Sequence, residues 1–463
     1  MQLKQAIEQI NGLGFIAESL NILSSVGKRC LLSLPFLTKQ EEIEKILNET
    51  ETVWQCVNNK KNEHTLSLIA MKIMQLRDIY GTIRNLTNKN VLNDIELFEI
   101  KHFAILSEYI REQTRHLNMS FIEIPNLRKV ISLLDPEQKH IPHFYIYDSY
   151  SYELAAIRAE LRSLTQQGAD ENRVEEVRFE AEIIEDKIRR ELSEKLLPHA
   201  STIKKALDET ARLDLLLAKA QQAIEMKFYK PTLATHASDF TGIFHPEIRD
   251  ALRRQNKEFQ PIDIIIPLHP TVITGANMAG KSVLLKSIAL AQTMMQFGFF
   301  VPAEAAAIVP VEKIIVCAGD AEDNLAGLSS FAAEMLRLNE MMDDVRNNTK
   351  LLVLIDELAR TTNPVEGEAI VCGMLDFLIQ HNIQSLITTH YGINMPCRKL
   401  RVKGFTENKN NEKVTIENIN NYINYSLEET TKSEVTHEAL RIAQIIGVNK
   451  EILNRANKYL NKR

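Results

Sequence analysis

Apolar residues in the first 130 positions recur three and four apart, as in Glu42-Ile43-Glu44-Lys45-Ile46-Leu47 and Ile95-Glu96-Leu97-Phe98-Glu99-Ile100-Lys101-His102-Phe103. That spacing puts them on one face of a helix. Few glycines interrupt the stretch beyond Gly12, Gly14, Gly27 and Gly81, so the first part of the chain is expected to be helical. Pro142 and Phe144-Tyr145-Ile146-Tyr147 break the period and read as a strand-like connector. Two long helices are expected next, about Tyr152 to Gln167 and Val174 to Leu197, with the polar turn 168–172 folding them into an antiparallel hairpin. The mixed charges of Glu185-Asp186-Lys187-Ile188-Arg189-Arg190-Glu191 suit a solvated helix face with i,i+4 pairs. A third helix, Ile203 to Met226, carries Leu207, Leu213, Leu215, Leu216 and Leu217 as its packing face.

Beyond a Pro-containing polar connector at 230–239 the period changes. Thr271-Val272-Ile273-Thr274, Leu351-Leu352-Val353-Leu354-Ile355 and Ile383-Gln384-Ser385-Leu386-Ile387-Thr388-Thr389 are short runs that suit buried strands, while Val283 to Met295 has helical composition without Gly or Pro. The expected fold is therefore multi-domain: an all-α domain over 1–235, then an α/β domain over 236–463 whose sheet is flanked by helices.

Composition adds limits. With 463 residues, 44% hydrophobic and 25% charged, the chain suffices for two or three globular domains. A net charge of −6 gives no global basic field, so any nucleic-acid contact must come from a local patch or a dimer groove. Cys30, Cys56, Cys317, Cys372 and Cys397 are odd in number and form no Cys-x-x-Cys pair, which suits core thiols in a reducing cytoplasm rather than disulfides or zinc. The beginning, Met1-Gln2-Leu3-Lys4-Gln5 followed by Glu8, lacks the apolar core of a signal peptide, and no apolar run reaches the length of a membrane span. A cytoplasmic location without membrane contact is expected.

The chemistry is concentrated in Gly275-Ala276-Asn277-Met278-Ala279-Gly280-Lys281-Ser282, a phosphate-binding (P-loop, Walker A) sequence between a strand and a helix. Its glycines let backbone N–H groups face phosphate oxygens, Lys281 reaches the β/γ oxygens, and Ser282 offers a hydroxyl to Mg²⁺. Phosphate then sits at a helix N-terminus, which Val283 continues. Asp356-Glu357 ends an apolar strand: Asp356 is placed to hold the Mg²⁺ shell and Glu357 to orient or deprotonate water. His390, at the end of another strand, can sense a γ-phosphate or the attacking water. ATP and Mg²⁺ are the cofactors these residues imply.

Thr274-Gly275-Ala276-Asn277-Met278-Ala279-Gly280-Lys281-Ser282, Asp356-Glu357-Leu358-Ala359-Arg360-Thr361-Thr362 and Thr389-His390-Tyr391 together resemble the MutS family of DNA mismatch-repair ATPases, whose loop reads T-G-P-N-M-x-G-K-S. The resemblance extends over Gly319 to Met335, where Ser329 matches a serine that contacts the γ-phosphate held by the opposite subunit, and over Leu196-Leu197-Pro198-His199 and Phe244-His245-Pro246. It implies a core and lever role for the all-α domain over 1–235, an ABC-type ATPase domain, Phe259 as the adenine-stacking aromatic, and a helix-turn-helix dimerisation element at 432–463. Ser25-Val26-Gly27-Lys28-Arg29 resembles the start of the family's helical core domain.

Departures qualify that implication. No Phe-x-Glu mismatch wedge precedes the helical core, the turn at 168–172 stands where the family inserts a clamp domain, and the sequence ends at Arg463 without the nuclease tail of some shorter members. Leu328, where Arg is usual, and Ala359-Arg360-Thr361-Thr362, where the family reads G-R-G-T, point to slow Mg²⁺-dependent hydrolysis. The expected function is a short MutS-like, ATP-hydrolysing dimer, paired with itself or a related chain, that binds mismatched or branched double-stranded DNA in mismatch repair or recombination. An alternative is an ATP-driven remodeler of a protein client without DNA binding. The segment Tyr145-Ile146-Tyr147-Asp148-Ser149-Tyr150 resembles short MutS-like proteins associated with reactivating cobalamin-dependent amino-acid mutases. A third is an ATP-gated structural dimer with little turnover. A Lys/Arg patch between the arms would mark a DNA reader, an apolar or mixed-charge patch a protein remodeler.

Overall fold

A computed structural model describes residues 1–117, 119–139, 145–275, 280–318, 330–347, 350–360, 362–405, 422–431, 440, 443–444 and 447–460. Helices α1 (Leu3–Gln9), α2 (Leu13–Glu18), α3 (Ser25–Leu32), α4 (Gln40–Asn58), α5 (Glu63–Ile73), α6 (Tyr80–Thr87), α7 (Asp94–Thr114), α8 (Arg128–Leu134), α9 (Tyr152–Gln166), α10 (Glu171–Leu196) and α11 (Ala200–Met226) come first. Then follow β1 (Thr232–Leu233), β2 (Ala237–Ile243), α12 (Pro246–Arg254), β3 (Ile262–Pro267), β4 (Pro270–Thr274), α13 (Lys281–Gln296), β5 (Ala305–Ile308) and β6 (Lys313–Ala318). The last described elements are α14 (Ser330–Arg346), β7 (Leu351–Asp356), α15 (Pro364–Gln380), β8 (Gln384–Thr389), β9 (Arg398–Phe405), β10 (Ile423–Glu429) and α16 (Lys450–Leu460). No described helix is long and apolar enough to cross a membrane.

The chain forms two compact units that interleave in sequence. One comprises 20–34 and 49–221; the other comprises 1–19, 35–48 and 222–463. This division differs from a single cut near residue 235.

The described secondary-structure elements of the first unit are all helices. α7 shows why: a reciprocal capping box between Asn93 and Glu96 satisfies its first N–H groups, and Leu97, Ile100, Ala104 and Ile110 are fully buried at helical spacing. Asp214 of α11 accepts from the Leu23 and Ser24 N–H groups and from the Ser24 hydroxyl, at 3.1, 2.9 and 2.6 Å, tying the start of α3 to α11. The α9–α10 hairpin has a shorter turn than the sequence suggests. α10 begins at Glu171, whose carboxylate in the first turn suits the helix dipole. α11 likewise starts before Ile203, because Pro198 fits the tight turn 197–199 that leads straight into it.

The described end of the expected strand-like connector, 145–147, joins no described sheet. Residues 140–144 lie outside the described part; Tyr147 is buried, and its hydroxyl donates to Asp135 at 2.5 Å. Ile146 and Tyr147 are buried side by side, while Tyr145 is exposed.

In the second unit, the polar stretch 230–239 is not a plain connector but supplies β1 and the start of β2. β1 tolerates the neighbouring proline because it is the edge of a four-stranded sheet ordered β1-β5-β2-β3. A six-stranded sheet is ordered β10-β9-β4-β8-β7-β6, parallel except for β10 against β9. Val272, Val353, Ile355, Val371, Leu375 and Ile387 form its core beneath α15 and α14. The C-terminal end of α13 is fastened by the N-terminal segment: Leu37 N–H donates to the Gln296 carbonyl at 2.9 Å, the Gln296 amide donates to the Leu37 carbonyl at 2.7 Å, and Phe36 meets Phe297 edge-on. All five cysteines are free thiols.

Candidate active site

Strand register gathers the site. β4 pairs with β8 as Thr274↔Thr389, and β7 with β8 as Asp356↔Thr388. Three parallel strands therefore deliver Gly275, Glu357 and His390 to one sheet edge, the carboxyl end where open α/β sheets bind ligands. Gly275 (φ 151°) leaves β4, and Gly280, in the left-handed region at φ 73°, caps α13. Ala276, Asn277, Met278 and Ala279 lie outside the described residues, as does Ser329.

Lys281 is nearly fully buried at the first position of α13. Its ammonium donates to the Gly275 carbonyl at 2.8 Å and lies 3.4 Å from the Glu357 carboxylate. Arg360 approaches the other Glu357 oxygen at 3.2 Å. Ser282 is exposed and Val283 half-buried at the start of the same helix. The loop lysine and the strand-end glutamate, distant in sequence, thus form one charged cluster. His390 stands beside it, its ring 4.1 Å from that of Tyr391. Burial holds its imidazole below the ordinary value, opposed by Glu357 and reinforced by Lys281 and Arg360.

Sequence reading missed Thr388. Its hydroxyl donates to Asp356 at 2.6 Å and accepts from the Glu357 N–H at 3.1 Å, orienting both acids at once. Two polar residues closing an apolar strand were the available signal. Tyr425 of β10 was missed as well: its ring lies against Gly280, so that a Cβ there would stand 2.9 Å from it. Phe259, half-buried, is not in the charged cluster, but its neighbour Gln260 bonds the Tyr425 N–H, Asn424 and Ser426, each at 3.1 Å. That linkage puts Phe259 one residue from the segment that carries Tyr425.

The donor set suits a hard cation. Asp356 and Ser282 offer carboxylate and hydroxyl oxygens, and among the described residues no three His, Cys, Asp or Glu side chains cluster as a protein cage. Carboxylate and hydroxyl oxygens are donors that Mg²⁺ accepts beside phosphate oxygens.

A family model described as MutS domain V matches residues 271–462. Endonuclease MutS2 of Thermus thermophilus is 33% identical over 219 residues, 47% of this chain and 28% of that protein. DNA mismatch repair protein MutS of Finegoldia magna is 26% identical over 426 residues, 87% of this chain and 48% of that protein. The MutS protein of Carboxydothermus hydrogenoformans is 34% identical over 208 residues, 43% of this chain and 24% of that protein. The chain thus spans less than half the length of each of these curated relatives.

Proposed function

We propose that this chain, which matches MutS domain V over residues 271–462, is a dimeric, Mg²⁺-dependent ATPase that couples nucleotide turnover to binding of mismatched or branched DNA. The observation that carries the ATPase reading is the Lys281–Glu357 pair beside Asp356 and His390. In this reading the loop and Lys281 bind the phosphates, Ser282 and Asp356 hold Mg²⁺, Glu357 orients the attacking water, and His390, held neutral, contacts the γ-phosphate. Mg²⁺, when bound, neutralises charge developing on the β/γ oxygens. Phosphate oxygens compete with Glu357 for Lys281, which couples loading of the loop to release of the glutamate for water. Tyr425 and Phe259 supply aromatic surface for the base, and Ser329 acts on the partner's nucleotide across the dimer, with 432–463 as the dimerisation element.

The DNA part draws on relatives named as mismatch-repair proteins. The α9–α10 tip gives it little electrostatic help: Asp170, Glu171, Glu175, Glu176, Glu180 and Glu182 outnumber Arg173 and Arg178. Fluorescence anisotropy with perfect, mismatched and four-way-junction DNA, with and without ATP at two salt concentrations, tests it. Nucleotide-dependent binding with a steep salt slope is expected; ATP binding without any DNA binding would sink the DNA role.

A further inference from the structure

Between Asp356 and Arg360 the backbone twice enters the left-handed region at residues that carry a Cβ, at Glu357 (φ 50°) and Ala359 (φ 57°). Such residues persist only where their surroundings over-determine them. Around Ala359 the determinants are plain. Its N–H donates to the Glu334 carboxylate of α14 at 3.2 Å, and its carbonyl accepts from the Tyr391 hydroxyl at 2.9 Å. Ala359 and its neighbour Leu358 are fully buried, so neither peptide group can turn to water instead. The tyrosine is fixed in turn. Its own N–H donates to the Thr389 hydroxyl at 3.0 Å, and its ring end lies so close to α15 that a Cβ on Gly367 would overlap the hydroxyl.

We propose that Glu334 and Tyr391 are positioning residues for hydrolysis: they clamp Ala359 left-handed and thereby hold the Glu357 carboxylate at the mouth of the phosphate loop. The proposal rests on the reading above that Glu357 orients the attacking water. Glu334 and Tyr391 belong to α14 and to the segment following β8, so two elements besides β7 fix where Glu357 points. Burial also raises the Glu334 carboxyl, partly opposed by the Ala359 N–H bond. A carboxylate displaced by an ångström loses a large part of its effect on a bound water, so releasing the clamp lowers kcat while leaving nucleotide affinity to the loop.

The test measures steady-state ATP hydrolysis and the affinity for a fluorescent ATP analogue. Glu334→Ala, which removes the acceptor, is expected to lower kcat roughly tenfold, about 1.4 kcal/mol in the barrier, with affinity unchanged. Glu334→Gln keeps an acceptor oxygen and is expected to recover most of the loss. In an Ala359→Gly background the same Glu334→Ala change is expected to cost less than about threefold, because glycine occupies the left-handed region without a clamp. A full tenfold loss persisting in that background, or an unchanged kcat in Glu334→Ala, overturns the proposal. Should Glu334→Ala fail to fold, Tyr391→Phe removes only a hydroxyl and carries the same comparison. Glu357→Gln separates the two readings. If it hydrolyses ATP at the full rate, the role of Glu357 has failed and the clamp falls with it; if it is inactive while the clamp variants behave as wild type, only the clamp is wrong.

Discussion

The carboxyl end of the six-stranded sheet and the α9–α10 hairpin both carry dense charge, yet they use it in opposite ways. At the sheet edge, Lys281 at the start of α13 is 4% exposed, Glu357 just after β7 is 14% exposed, and they lie 3.4 Å apart. In the hairpin, Arg173 pairs with Glu176 three residues on and with Glu160 on the neighbouring helix, all about half exposed or more. Burial makes each charge at the sheet edge matter, because a low-dielectric surrounding strengthens both the pairing and the cost of breaking it. Exposed pairs are screened and contribute about 0–1 kcal/mol. In the hairpin the left-handed region is entered at Gly168 (φ 64°), a glycine in the turn, whereas at the sheet edge Glu357 and Ala359 enter it with a Cβ.

The largest effect is expected from Lys281→Ala and Asp356→Asn, each lowering ATP turnover by about 10²–10³-fold, measured by phosphate release. If either retained wild-type turnover, the sheet edge would be no more than another charged surface. Next comes the base of the hairpin, where Arg158 behaves like a buried residue. It donates to the Tyr145 hydroxyl, the Ile146 carbonyl, Asp148 and Glu185 at 2.9, 2.6, 2.6 and 2.8 Å. Arg158→Ala is expected to destabilise the helical unit by about 2–3 kcal/mol, read by denaturant unfolding, with ATP turnover in the absence of DNA unchanged. Loss of turnover in this variant would show that the two regions are not independent.

The two units also differ in where pH acts. Burial, reinforced by Lys286, lowers the His245 imidazole from its ordinary 6.5 to about 4. The unfolded chain therefore takes up the proton first. Stability is complete above pH 6.5 and falls as pH drops toward 4, by at most about 1.4 kcal/mol per pH unit. In the helical unit, burial lowers Lys219 from 10.5 to about 7, so its contribution is complete above pH 10.5 and is lost between there and pH 7. Unfolding series across these windows check both, with His245→Gln expected to flatten the acid slope and Lys219→Met the alkaline one. The smallest effect is expected from Arg173→Ala, within about 0.5 kcal/mol; a larger one would mean that the hairpin tip is not merely solvated.

Legibility followed the range of the interactions. The strand at 271–274, the strand before Asp356, the strand before His390 and the helix after the loop are all present, because period and β-branching act locally. The stretch 230–239 misled, since an edge strand tolerates the polar and proline content that otherwise reads as a connector. Ile146 and Tyr147 gave a strand-like signal for another reason: two buried neighbours outside any described strand have the same apolar content as a short strand. No sequence signal indicated that Leu37 would fasten Gln296 at the end of α13.

The sequence by itself determined the chemistry on offer. A glycine-framed sequence with Lys281 and Ser282, an Asp356-Glu357 strand end and His390 offer an ammonium, a hydroxyl, two carboxylates and an imidazole, the groups on which the proposed triphosphate site draws. Only the tertiary structure decided how those groups are held. The register of β4, β7 and β8 sets Glu357 against Lys281, Thr388 orients two acids, Tyr425 lies on Gly280, and Glu334 with Tyr391 fixes Ala359. Each of those contacts joins residues far apart in the chain, and composition or spacing within one segment carries no record of which distant side chain will arrive beside it.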